Sequence, residues 1–152
     1  MKILIVEDDD MKLEALSDYI RARLPDVEIK SGQSLHSGLT LALHEAADAI
    51  FLDMTMTNFD RGKDEDGGRP HAFAGREILR RMARKKIKTP VFVFTQFSRF
   101  DDDRNSMSLD ELTQELTDRF DNFVGTVQYQ VNVEVWKQQV DEHLEKLTGG
   151  EI

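Results

Sequence analysis

Three runs in this chain are apolar almost throughout and end on an oxygen-bearing side chain. They are Lys2-Ile3-Leu4-Ile5-Val6 before Glu7, Ala49-Ile50-Phe51-Leu52 before Asp53, and Pro90-Val91-Phe92-Val93-Phe94 before Thr95. A strand with helices on both faces reads this way, because neither side meets water, and such strands belong to parallel sheets. Between the runs the apolar spacing is helical. Leu13, Leu16, Ile20 and Leu24 predict a helix from Met11 that Pro25 closes, and Leu35, Leu39, Leu43 and Ala46 predict a second from near Ser34. Ile78, Leu79 and Met82 mark a third, beginning near Gly75. Ser108 and Glu111 have capping-box spacing and open a fourth, with Leu109, Leu112 and Leu116 on its inner face. Asn132 is placed to cap a fifth, in which Val133, Trp136, Val140, Leu144 and Leu147 form the core stripe. Val27-Glu28-Ile29 and a segment from Asn122 to Gln128 supply two further strands. Strands and helices in alternation predict an α/β domain with right-handed crossovers and a parallel sheet covered on both faces.

A length of 152 residues with 39% hydrophobic side chains suits one core and one domain. The formal net charge of −9 argues against a general nucleic-acid or membrane-surface binder, since phosphates are repelled. The absence of cysteine excludes disulfides, thiolate catalysis and zinc–thiolate sites, and makes a reducing cytoplasm the expected compartment. The apolar runs are strand-length, short of the roughly 20 residues a membrane-spanning helix needs. Two polar stretches interrupt the pattern, Asn58 to Pro70 and Gln96 to Met107, and both read as exposed loops.

In an open parallel sheet the ligand site lies beyond the carboxyl ends of the strands, where the strand order reverses. Glu7, Asp8, Asp53 and Thr95 are all expected there. Three carboxylates at one edge repel one another, so they either bind a cation or raise a pKa. Oxygen ligands in that number suit a hard ion, Mg²⁺ first and Mn²⁺ or Ca²⁺ next. An ion there makes Asp53 a candidate nucleophile for a phosphoryl group, with the Thr95 hydroxyl placed to hydrogen-bond the product. Acids after strands also cap helices, and either Asp9 or Asp10 is expected to cap the first. The basic run Arg80 to Lys86 fits a helix C-terminus meeting the helix dipole, and His71 matches no zinc spacing.

These residues, in this order, resemble the receiver domains of bacterial response regulators. KILIVEDD at 2–9 looks like the family's first strand with its acidic pair, and FLDMTM at 51–56 like the phosphoacceptor strand. AGREILRRM at 74–82 is similar to the third helix, and TPVFVFTQ at 89–96 to the fourth strand with its switch hydroxyl. The resemblance implies a flavodoxin-like, doubly wound five-stranded sheet of order 2-1-3-4-5 over residues 1–148, with insertions near 58–73 and 96–107. It further implies Asp53 as phosphoacceptor, Thr95 as switch, and Mg²⁺ (or Mn²⁺) held by Glu7, Asp8, Asp53 and the backbone carbonyl of Thr55.

The chain also departs from the family. Receivers end the fifth strand with lysine then proline, and here Tyr129, or Gln128, stands at the lysine position, while the prolines are Pro25, Pro70 and Pro90. Thr57 replaces a proline that often follows the acceptor loop. Arg61, Lys63 or Arg99 is a candidate source of the missing cation; the plainer expectation is that these are solvated loop charges.

The function implied is that of an atypical single-domain response regulator in a phosphorelay, accepting a phosphoryl group on Asp53 from a histidine kinase or phosphotransfer protein and signalling by docking to a downstream protein target. Any enzymatic activity is then limited to self-catalysed transfer and hydrolysis. The alternative is a pseudo-receiver, an interaction module not switched by phosphorylation. A phosphohydrolase of the haloacid dehalogenase type is disfavoured, because it wants a second aspartate where this chain has Thr55.

Overall fold

The structure is a computed structural model, and it describes residues 1–60, 70–131 and 133–150. The central sheet contains β1 (Lys2–Val6), β2 (Glu28–Gly32), β3 (Ala49–Leu52), β6 (Val91–Thr95) and β9 (Phe123–Gln128), all paired in parallel. Their spatial order is β2-β1-β3-β6-β9. Renumbered within this sheet, that is 2-1-3-4-5, the expected flavodoxin-like order. The helices are α1 (Asp10–Arg23), α2 (Leu35–His44), α3 (Ala74–Arg84), α4 (Leu109–Arg119) and α5 (Val135–Thr148).

Strand alternation divides the core into two layers. Leu4 and Val6 of β1 point into a cluster with Ala42, Ile78, Leu79, Leu112 and Leu116, from α2, α3 and α4. Ile3 and Ile5 point the other way, onto Leu16 and Ile20 of α1 and Val140 and Leu144 of α5. Each face of β1 is thus buried under helices, which is why its sequence is apolar throughout.

Caps set where helices begin. Asp9 is the N-cap of α1, its side chain accepting from the backbone N–H of Met11 and Lys12. Ser34 and Ser108 cap α2 and α4 as the sequence indicates, each in a reciprocal capping box. For α5 the expectation differs from the structure. Val133 precedes the helix and is exposed, and the N-cap is Glu134, without a side-chain cap bond; Asn132 lies outside the described residues. Trp136, Val140 and Leu144 are buried as the helical spacing requires.

The second polar stretch holds more regular structure than a simple loop, and a short strand pair flanks the first. Met56–Thr57 (β4) pairs antiparallel with Pro70–His71 (β5), and Arg99–Asp101 (β7) with Ser106–Ser108 (β8). The second pair escapes a periodicity reading because its residues are mostly polar; only Phe100 is fully buried, against Phe73. His71 lies in the first pair, its Nδ1 accepting from the backbone N–H of Phe73.

Candidate functional site

The carboxyl ends of β1 and β3 bring the acids together. β1 and β3 pair in register, Val6 beside Leu52, so the residues that follow, Glu7 and Asp53, leave the sheet side by side. The Asp53 N–H donates to the Val6 carbonyl at 2.9 Å, and the Glu7 N–H to the Gly32 carbonyl at 2.9 Å, which fixes both backbones. Glu7 and Asp53 are buried, at 1% and 2% exposure, and Asp8 is partly exposed. One carboxylate oxygen from each of Glu7, Asp8 and Asp53 lies within 4.8 Å of the other two.

A close backbone approach holds the acceptor strand end. The Gly75 N–H, in the first turn of α3, donates to the Met54 carbonyl at 3.0 Å. A Cβ at position 75 would stand 2.6 Å from the Asp53 carbonyl oxygen and 3.1 Å from Met54 Cα. Only glycine lets α3 pack this near.

Lys12 also enters this cavity, a residue the sequence reading passed over. Its side chain is 2% exposed, and its ammonium donates to Asp53 Oδ2 at 3.1 Å and forms an ion pair with Glu7 Oε1 at 2.8 Å. The other Asp53 oxygen accepts from the Met54 N–H at 2.7 Å, and Glu7 Oε2 accepts from the Asp9 N–H at 3.1 Å. Lys12 had a signal in the sequence. It precedes Leu16 and Ile20 at intervals of four, so it continues the buried stripe of α1. A lysine reaches the pocket from there because its stem packs as an apolar chain while the ammonium extends to the carboxylates.

The cationic replacements considered from sequence do not occupy this place. Arg99 is exposed and its guanidinium donates to Ser106 across the β7–β8 pair, while Arg61 and Lys63 lie outside the described residues. At the end of the fifth strand of the sheet, the Tyr129 ring packs at 5.5 Å from Phe94 and 5.4 Å from Trp136.

Charge is not balanced by Lys12 alone. Burial, and then the Asp53 carboxylate, push the Glu7 carboxyl up to about 10, against the lowering effect of Lys12. Burial works against the Lys12 ammonium, but Asp53 and Glu7 outweigh it and hold its pKa above the usual lysine value. A pocket of this kind keeps a proton on Glu7 or takes up a further cation. Glu7 Oε1 is buried and meets the Lys12 ammonium as an ion pair at 2.8 Å, and the three clustered carboxylates outnumber that one cation. The donor set therefore fits a hard divalent ion.

Glu7, Asp8, Asp53, Thr55 and Lys12 line one cavity together with Asp9, Pro70, Gln96 and Phe97. The Thr55 hydroxyl donates to the Ala72 carbonyl at 3.1 Å, turning that side chain toward the β5–α3 segment. Thr95, the last residue of β6, is fully buried, and its hydroxyl accepts from the Phe97 N–H at 3.2 Å. It is not among the residues lining the cavity, although the two after it are.

A parallel sheet of this order, with acids at the ends of its first and third strands, defines a receiver-like α/β protein. No family model matches the chain. It is 35% identical over 143 residues to the uncharacterized protein y4jR of Sinorhizobium fredii, spanning 92% of this chain and 94% of that one. To the Detocs response regulatory protein DtcB of Enterobacter cloacae it is 30% identical over 150 residues, spanning 97% of this chain and all of that one. The fold matches that of the N-terminal domain of a Wolinella succinogenes protein (TM-score 0.67, 23% identity), with 98% of this chain and 94% of that one covered. It also matches the Thermotoga maritima response regulator TrrA, solved in complex with Mg²⁺ and BeF (TM-score 0.64, 17% identity), covering 96% and 97% of the two chains. This chain belongs to the response-regulator receiver family. Among the described residues, no helix is long and apolar enough to cross a membrane.

Proposed function

We propose that residues 1–148 form one receiver unit that accepts a phosphoryl group on Asp53 in a divalent-ion-dependent reaction, with a histidine kinase or phosphotransfer protein as donor and a docked protein as target. The observation that carries this reading is the buried Asp53 carboxylate, clustered with Glu7 and Asp8 and held by Lys12 and the Met54 N–H. Similarity to the DtcB response regulator supports the phosphorelay role.

In the reaction, an Asp53 carboxylate oxygen forms the new bond to phosphorus as the donor's bond to phosphorus breaks. The electron pair of that bond leaves with the donor, and a phosphohistidine donor then takes its proton from solvent. Asp53 is oriented for this by the Met54 N–H, which fixes one oxygen. A divalent ion, Mg²⁺ or Mn²⁺, held by Glu7, Asp8, Asp53 and the Thr55 carbonyl, would offset the charge that gathers on the transferring oxygens. Thr95 is assigned the switch: its hydroxyl proton is not engaged by the Phe97 N–H, which it meets as acceptor, and is available to a phosphoryl oxygen. The pseudo-receiver reading drew its strength from the missing lysine, and the buried ammonium of Lys12 weighs against it.

Intact-mass measurement after incubation with Mg²⁺ and a small phosphodonor tests the reading. The expected result is a gain of one phosphoryl group in the wild type and none in Asp53→Asn. No gain in the wild type at any donor concentration overturns it.

A further inference from the structure

We propose that Lys12, from the first helix, is the residue that binds the transferred phosphoryl group, doing from α1 the work for which the end of the fifth strand of the sheet has no cation. The inference rests on Asp53 being the acceptor. Three observations carry it. Among the described residues, Lys12 is the cation that touches Asp53, through Oδ2 at 3.1 Å. Its side chain is 2% exposed, so the ammonium lies inside the pocket and not at the protein surface. Third, its ammonium lies 5.8 Å above the Phe94 ring, which is itself packed by Trp136 and Tyr129. Phe94, on β6 one residue before Thr95, thus fixes the ammonium from the side of the α1–α5 core layer.

An ammonium has three N–H groups, and Glu7 and Asp53 engage two of them. When an Asp53 oxygen forms its bond to phosphorus, the carboxylate charge passes to the phosphoryl oxygens. Donation by Lys12 then moves from Asp53 to the nearest of these, while the Glu7 contact keeps the ammonium in place. Charge-assisted bonds of this kind are among the strong ones, and the Lys12 side chain that makes them is buried.

The test uses beryllofluoride, which mimics a phosphoryl group on a carboxylate, and Mn²⁺ alone, with Trp136 fluorescence as the reporter. In Lys12→Met the affinity for beryllofluoride in the presence of Mn²⁺ is expected to fall roughly 10- to 100-fold, the range of a lost hydrogen bond to a charged group. Affinity for Mn²⁺ alone is expected to be kept or tightened, since a nearby positive charge has been removed. Unchanged beryllofluoride affinity overturns the inference and leaves Asp53 as acceptor. A parallel loss of both affinities also overturns it, because a merely structural role damages both. A wild type that binds Mn²⁺ but no beryllofluoride overturns the acceptor reading and this inference with it. Lys12→Gln, which keeps a donor toward the carboxylates, replaces the Met variant if that fails to fold, and the same pattern is expected.

Discussion

Lys12 and Asp53 are 41 residues apart in sequence, yet the ammonium of the first donates to Oδ2 of the second at 3.1 Å inside the protein. Removing one partner of a buried pair leaves the other charge uncompensated, at a cost of about 3–5 kcal/mol. Lys12→Met is therefore expected to lose stability on that scale in denaturant unfolding with chelator present. Adding Mg²⁺ should restore much of it, because a divalent ion replaces the lost charge. A Lys12→Met protein as stable as wild type in chelator contradicts the pairing.

Glu7 makes the pocket a proton donor on ion binding. Its carboxyl is raised from 4.5 to about 10 by burial and by Asp53, so near neutral pH the ion-free pocket holds a proton that a cation must displace. Titration calorimetry of Mg²⁺ in buffers of different ionisation enthalpy should show release of about one proton, absent in Glu7→Gln. The sign of the stability effect follows from the raised value. The contribution is full below the unfolded carboxyl range and is lost as pH rises toward about 10, so ion-free protein should weaken across that window. Glu7→Gln should flatten the slope.

Gly75 lets α3 reach the acceptor strand end, with space for a Cβ closed by the Asp53 carbonyl oxygen at 2.6 Å. Backbone cannot yield as a flexible side chain does. Gly75→Ala is expected to cost about 1–3 kcal/mol, the range for overpacking, and to weaken Mg²⁺ binding by shifting Asp53. Thermal unfolding with and without Mg²⁺ checks both, and an Ala variant with wild-type values for each contradicts the packing.

At the edge of the sheet, Glu45 bridges Lys2 of β1 and Lys30 of β2. The hydrogen bonds from Lys2 and then Lys30 lower its carboxyl from 4.5 to about 2. A lowered carboxyl adds stability above its unfolded pKa and loses it as pH falls from 4.5 to about 2. The acid limb of the stability profile should be shallower in Glu45→Gln, while the profile above pH 5 keeps its shape.

Much of this was readable in the sequence. β1, β3 and β6 are buried on both faces, so their apolar runs marked them, and the carboxylates that end two of them fell at one sheet edge as the topology demands. Ser34 and Ser108 declared their helices through local capping bonds. Lys12 stayed hidden because a lysine ordinarily reads as solvated surface, and only its place on the Leu16–Ile20 stripe marked it as inward. The β7–β8 pair was hidden for a different reason: an exposed two-stranded ribbon has no face to bury, apart from Phe100, so it carries no alternation. For Val133, helical spacing extended two residues ahead of the true start of α5 at Val135, where no capping side chain marks the boundary.

The most direct test of the account identifies the phosphorylated residue itself. Protein incubated with Mg²⁺ and a small phosphodonor is reduced with borohydride, which converts an aspartyl phosphate to homoserine, and its peptides are then weighed. The account predicts homoserine at position 53 and its absence when Mg²⁺ is chelated. Homoserine at Glu7's neighbour Asp8 or elsewhere, or none in the presence of Mg²⁺, contradicts it.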